Sequence, residues 1–224
     1  MTVKRFLALI ILLVAGCASA PFQETALVSL ESSDPRVVVE RFRTGNPVRF
    51  QLINTVVLDY HGFTFAGLGY AEINAADHSY KVACMNHMGV KIFDVSGNRD
   101  GILSQSAIGP LADKGDIARA VGNDIMRIYF DLVPGPSARS WQRRNKLFFQ
   151  ESFGDGRMEY VFGGAQGDLI EKNYYGDDGI QWKASYYEYR DQAGKRWPQG
   201  IVFINYQYRY RLTVRQKELR LEED

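Results

Sequence analysis

The sequence predicts a mainly β fold, a single antiparallel sheet with one long helix packed on it. Three observations carry that reading. Beyond Val48, apolar and polar residues alternate with a period of two in run after run, the pattern of strands buried on one face. Tight-turn signals such as His61-Gly62, Ser96-Gly97-Asn98 and Gly154-Asp155 separate the runs closely enough for antiparallel hairpins. Only one stretch, Ile117 to Leu132, switches to helical spacing. A hydrophobic fraction of 46% and an aromatic fraction of 13% suit an ordered, β-rich domain.

The chain opens on the three zones of a secretory signal. Lys4 and Arg5 form the positive segment, and Phe6 to Val14 is an unbroken apolar run. That run is too short to span a bilayer, which needs about 20 residues. Val14-Ala15-Gly16-Cys17 then resembles the lipobox of bacterial lipoproteins, in which small residues precede the cut and the cysteine thiol takes a diacylglyceryl group. The alternative is an ordinary signal cut near Ala18 or Ala20. On the lipobox reading, residues 1–16 are the signal peptide, 17–35 the lipidated cysteine and a tether, and 36–224 a single domain. Ala18, rather than Asp, follows the cysteine, which is similar to lipoproteins sorted to the outer membrane. The implied location is therefore the outer membrane, facing the periplasm, with lipid chains contributing roughly 0.8 kcal/mol per buried CH₂.

The strand pattern begins at Val48, where Phe50, Leu52, Val56, Leu58 and Tyr60 alternate with Arg49, Gln51 and Asp59. Before it, Asp34-Pro35 can cap and start a short helix, whereas Val37-Val38-Val39 prefer strand, and both readings stand. Past His61-Gly62, residues Phe63, Phe65, Gly67, Gly69, Ala71 and Ile73 share one face of a second strand. Tyr80, Val82 and Cys84 mark a third, with shorter strands expected at Val90–Val95 and Gly101–Ile108. Asp113 or Asp116 can cap the helix carrying Ile117, Val121, Ile125, Ile128 and Leu132. Pro134-Gly135-Pro136 ends it. Strands resume at Lys146–Phe153, Gly156–Phe162, Leu169–Tyr175 and Ile180–Arg190. A last long strand is expected from Ile201, with Ile204, Tyr206, Tyr208, Tyr210, Leu212 and Val214 on one face, and the tail after Lys217 is expected to fray.

Several function classes lose their support. Once Lys4 and Arg5 are removed the formal net charge falls from +1 to about −1, and no concentrated basic face implies a nucleic-acid partner. With Cys17 acylated, Cys84 has no intrachain partner, so no disulfide framework is expected. His61, His78 and His87 lie at no metal-ligand spacing, and no G-x-S-x-G elbow supplies a nucleophile. Gly163-Gly164-Ala165-Gln166-Gly167 lacks the Lys-Ser/Thr ending of a phosphate loop and reads as a connector. Asp177-Asp178 sits in a glycine-bounded turn, where solvated carboxylates are the plain account. Neither a cofactor nor covalent chemistry is expected.

The order of tether, antiparallel strands, one amphipathic helix and further strands behind a lipobox resembles the LolA/LolB lipoprotein-carrier superfamily. The pieces that carry the likeness are Gly62-Phe63-Thr64-Phe65, Met88-Gly89-Val90-Lys91-Ile92-Phe93-Asp94-Val95, Asn123 to Phe130, and Trp197-Pro198. The resemblance implies a curved half-barrel closed by a helical lid, with a hollow that shelters the acyl chains of a lipid or acylated ligand. Phe50, Phe63, Phe65, Ile125, Ile128, Trp182, Tyr206 and Tyr208 are the candidates to line it. A periplasmic carrier protein is a further implied partner. Phe63–Leu68 is the candidate for the membrane-inserting loop of the family's outer-membrane receptor, although its alternation marks strand. The rival reading is a non-catalytic structural or interaction lipoprotein of an envelope assembly.

Overall fold

The computed structural model describes residues 21–31, 34–107 and 117–222. Cys17, Ile108, Asp113 and Asp116 lie outside them. All twelve strands join one antiparallel sheet in the order β5-β4-β3-β2-β1-β12-β11-β10-β9-β8-β7-β6. The first meander runs through β1 (Arg49–Tyr60), β2 (Phe63–Asn74), β3 (Ser79–Met85), β4 (Lys91–Asn98) and β5 (Gly101–Ala107). The second holds β6 (Arg139–Arg143), β7 (Lys146–Phe153), β8 (Gly156–Gly163), β9 (Asp168–Gly176), β10 (Gly179–Gln192), β11 (Lys195–Asn205) and β12 (Tyr210–Leu221). The two halves meet where β1 pairs with β12, from Tyr60↔Tyr210 to Phe50↔Leu221.

The sheet buries its inner face under two helices, α1 (Pro35–Gly45) and α2 (Ile117–Tyr129). Inner positions alternate as the sequence requires: Phe50 and Leu52 on β1, Ala71 and Ile73 on β2, and Tyr80, Val82 and Cys84 on β3 are all buried. The open choice at Val37–Val39 resolves as helix. Asp34 caps it by accepting from Arg36 N at 2.9 Å, and Val38, Val39 and Phe42 fall on one buried stripe. Tertiary burial of that stripe outweighs the strand preference of three valines.

Four expectations are corrected. Ser96–Asn98 does not separate strands: β4 continues to Asn98 across a register shift at Ser96/Gly97, and Asn98 Oδ1 accepts from Asp100 N at 2.9 Å to make the turn. Strand β6 was not expected, because its five residues are all exposed and carry no alternation. The closing strand is two strands. Asn205 turns the chain, accepting from Tyr208 N at 3.0 Å, and Arg209 takes φ 55. Parity changes across this turn, so Asn205 is buried on the inner face while Tyr210, Leu212 and Val214 resume it. The tail after Lys217 stays in β12, where Leu219 pairs with Leu52 and is buried.

Candidate functional site

The site is built where α2 crosses the inner face. Its apolar stripe supplies Ile125 and Ile128, which are 9% and 1% exposed, and Tyr129 and Phe130 extend it. Beneath lies an aromatic floor. Trp182 stands 5.9 Å from both Tyr174 and Phe203, and Phe50 packs on Trp197 at 4.6 Å, which in turn stacks on Tyr129 at 6.2 Å. Gly122 lets α2 approach closely: a Cβ there would collide with the Tyr80 hydroxyl.

Polar groups of the sheet clasp the helix backbone. Lys172, fully buried on β9, donates from Nζ to Phe130 O at 2.7 Å and Arg127 O at 3.2 Å. These are the orphan carbonyls of the helix C-terminus, where a cation is also favoured by the dipole. Tyr186 donates to Ile128 O at 2.8 Å. Tyr210 donates to Asp124, whose other oxygen accepts from Arg127 at 3.2 Å. Just past the helix, Asp131 accepts from Arg99 at 3.0 Å and lies 3.1 Å from His78 Nε2, while the His78 ring stacks on Phe130. Two hairpin turns thereby hold the helix end.

Burial shapes the titration of these groups. Desolvation raises Asp124 to about 6, opposed by the Tyr210 and Arg127 contacts. Desolvation lowers Lys172 to about 8, opposed by Asp131 and Glu151. Tyr186 and Tyr210 are pushed upward by burial, and Cys84 is raised to about 11, an inert thiol. Among the described residues no three His, Cys, Asp or Glu side chains are grouped to hold a metal ion.

The eight sequence candidates divide in three. Phe50, Ile125, Ile128 and Trp182 are packed together beneath and on α2. Phe65 is half-buried near the far end of β2, its ring against Gly67. Phe63, Tyr206 and Tyr208 are 62%, 43% and 58% exposed at hairpin tips at one end of the sheet. Phe63–Leu68 lies within β2, as its alternation indicated. The sequence reading missed Lys172, Asp124 and Tyr186. No local signal marked Lys172, because Leu169 to Tyr175 carries no alternation and a register shift against β8 breaks the parity of β9.

Clefts open elsewhere between described residues, away from the residues of α2. One of about 280 Å³ is bordered by Arg41, Thr44, Gln166, Asp168, Asp191 and Arg196. Another, about 430 Å³, is bordered by Arg49, Glu72, Ser79, Lys81, Leu103 and Glu222. Both are rich in polar groups. Between α2 and the sheet, Phe50, Ile125, Ile128, Tyr129 and Trp182 pack into one apolar cluster.

No family model matches the sequence, and no curated protein matches it. Solved structures do match in fold. A domain from Vibrio parahaemolyticus named for outer membrane lipoprotein sorting shares 12% identity, with a TM-score of 0.52 over 84% of this chain and 93% of that one. A DUF1329 family protein from Desulfovibrio piger shares 7% identity, with a TM-score of 0.52 over 84% of this chain and 91% of that one. A LolA superfamily protein from Nitrosomonas europaea shares 10% identity over 84% of this chain and 94% of that one, at a TM-score of 0.48. An open, curved antiparallel sheet with two helices is the fold that the chain shares with the Vibrio parahaemolyticus and Desulfovibrio piger proteins.

Proposed function

We propose that the protein is an outer-membrane lipoprotein, anchored through Cys17, that shelters an acylated or other lipophilic ligand on the inner face of its sheet beneath α2. The observation that carries the reading is the way α2 is held. An apolar stripe rests on an aromatic floor, while a few side chains from the sheet clasp the helix backbone. A helix held in this way can lift as a unit. Lifting exposes Phe50, Trp182, Phe203 and Val214, a surface suited to an acyl chain, with tyrosine hydroxyls for a polar head. Because α2 packs on these residues, binding is coupled to lid displacement and the apparent affinity is reduced by the fraction of lid-open protein.

The fold supports this reading, and so does the name of the Vibrio domain, which points to lipoprotein sorting in the outer membrane. Binding of this kind needs no covalent chemistry, and the protein acts as a binder or carrier, with a soluble periplasmic carrier as its natural exchange partner. The packed space under α2 favours a second reading, a non-catalytic interaction lipoprotein of an envelope assembly.

Native mass spectrometry of residues 18–224, purified from envelope extract without detergent, separates the two. A stoichiometric lipid or acylated peptide, lost in a Trp182→Asp variant that still folds, is the expected result. A folded, ligand-free protein that co-purifies with other proteins would favour the interaction module.

A further inference from the structure

The outer face of the sheet carries the start of the described chain, and the packing there is specific. Tyr187, Gly200 and Arg215 form one lateral row across β10, β11 and β12. Gly200 leaves a notch in that row, and the Phe22 ring fills it, 6% exposed. The ring stacks on Tyr187 at 5.5 Å and is covered by the Arg215 guanidinium at 4.5 Å. Arg215 also donates to Pro21 O at 3.3 Å, and Glu188 accepts from Gln23 N at 2.9 Å. Farther along, Asn145 donates to Leu27 O at 3.2 Å, Glu31 N donates to Ala165 O at 3.0 Å, and the Glu31 carboxylate pairs with Arg41 at 2.7 Å. Residues 21–31, read from sequence as part of a tether, are a strap fastened to the domain at both ends.

The strap leaves a short leash. Four residue steps separate Pro21 from Cys17, at most about 14 Å of extended chain. If Cys17 bears the lipid, as proposed above, the row at Phe22 cannot move farther than that from the headgroups. The same face offers cations. Arg209 at the β11–β12 tip and Arg211 on β12 have no ion pair among the described residues, and Arg211 Nε is buried without a hydrogen-bond partner. Of the nearby acids, Glu188 holds Arg215 and Gln23, and Asp59, opposite Arg211 in the β1–β12 register, accepts from Thr64 at 2.7 Å without forming an ion pair with Arg211. On so short a leash these cations can enter the surface potential of anionic lipids, which decays over about 8 Å.

We propose that the outer face of β10–β12 docks on an anionic bilayer surface, so that α1 and α2 face away from the membrane. The lid then opens toward the periplasm, and a ligand arrives from a soluble donor and not from the bilayer beneath. The inference rests on the lipidated reading of Cys17, and the test keeps the two apart.

The mature full chain is extracted from membranes and its mass is measured first; absence of the acyl mass on Cys17 overturns the anchor and the docking together. The lipidated protein is then placed in vesicles of phosphatidylethanolamine and phosphatidylglycerol. Spin labels are set at Thr213→Cys on the outer face or Asn123→Cys on the exposed side of α2; the buried Cys84 thiol stays unlabelled. Headgroup-tethered nickel is expected to relax the Thr213 label several-fold more than the Asn123 label. Phe22→Ala frees the strap and should bring the two toward equality, as should Gly200→Ala, which evicts the ring. Equal relaxation in the unaltered protein, stronger relaxation at Asn123, or a preference untouched by both variants would overturn the proposal.

Discussion

Asp124 and Lys172 are the two charged groups on which the attachment of α2 turns, and each makes a distinct pH prediction. The folded-state pKa of Asp124, about 6, lies above its ordinary value of 3.8. Between about pH 4 and 6 the folded protein therefore keeps a proton that the unfolded chain has released, and stability falls as pH rises through that window. The full shift corresponds to about 3 kcal/mol at most. Asp124→Asn, which keeps an acceptor for the Tyr210 hydroxyl, should flatten the loss between pH 4 and 6 and raise the melting temperature at pH 7; thermal unfolding at several pH values checks both. Lys172 behaves in the opposite sense. Its folded-state pKa, about 8, lies below 10.5, so its contribution makes stability rise with pH between about 8 and 10.5. Lys172→Met preserves the stem but strands Phe130 O and Arg127 O, at a cost of about 1–3 kcal/mol. Hydrogen exchange should show that loss concentrated at the C-terminal turn of α2, and a uniform change over the whole sheet would contradict the clasp. Neither residue belongs to a recognisable motif, which is why sequence reading found the lid helix without the groups that hold it.

At the scale of elements, legibility follows burial. Strands such as β1 to β3 and β7, whose burial alternates, were readable from alternation. Helix α2 ends at Tyr129, short of the Leu132 expected from Pro134-Gly135-Pro136, with Asp131 at φ 47 just beyond it. The misses share a physical cause, the absence of a local signal. Strand β6 has no buried face to impose a pattern. The Tyr206–Arg209 turn contains neither glycine nor proline and relies on Asn205 and a positive φ at Arg209, so the alternation seemed to run straight through it. Helix α1 was ambiguous because its valines oppose the spacing of Val38, Val39 and Phe42. For α2, the account predicts that packing dominates. Ile128→Ala should cost about 2–4 kcal/mol, since the side chain is 1% exposed. Gly122→Ala should act differently, pushing the helix off Tyr80 and speeding exchange of α2 amides while the β-sheet circular dichroism stays intact. A Gly122→Ala protein with unchanged exchange along α2 would show that the close approach is not holding the lid.

The whole molecule is two meanders sealed by β1 against β12, with a single core beneath two helices and a strap across its back. That architecture followed from sequence at the level of class and order, and the likeness to the Vibrio and Desulfovibrio structures agrees with it. What the sequence did not reveal is how closely the core residues Phe50, Ile125, Ile128 and Trp182 pack beneath and on α2. Patterning specifies which face is apolar; whether that face is covered by its own helix or by a ligand depends on the position of α2, a tertiary matter. The most direct test of the central claim is titration of the domain with a fluorescent fatty acyl probe, with hydrogen exchange of α2 followed in the same samples. Saturable binding that accelerates exchange along residues 117–129, with tighter apparent affinity in Gly122→Ala, is the predicted result. A folded protein that binds no probe, in either its unaltered or its Gly122→Ala form, would contradict it.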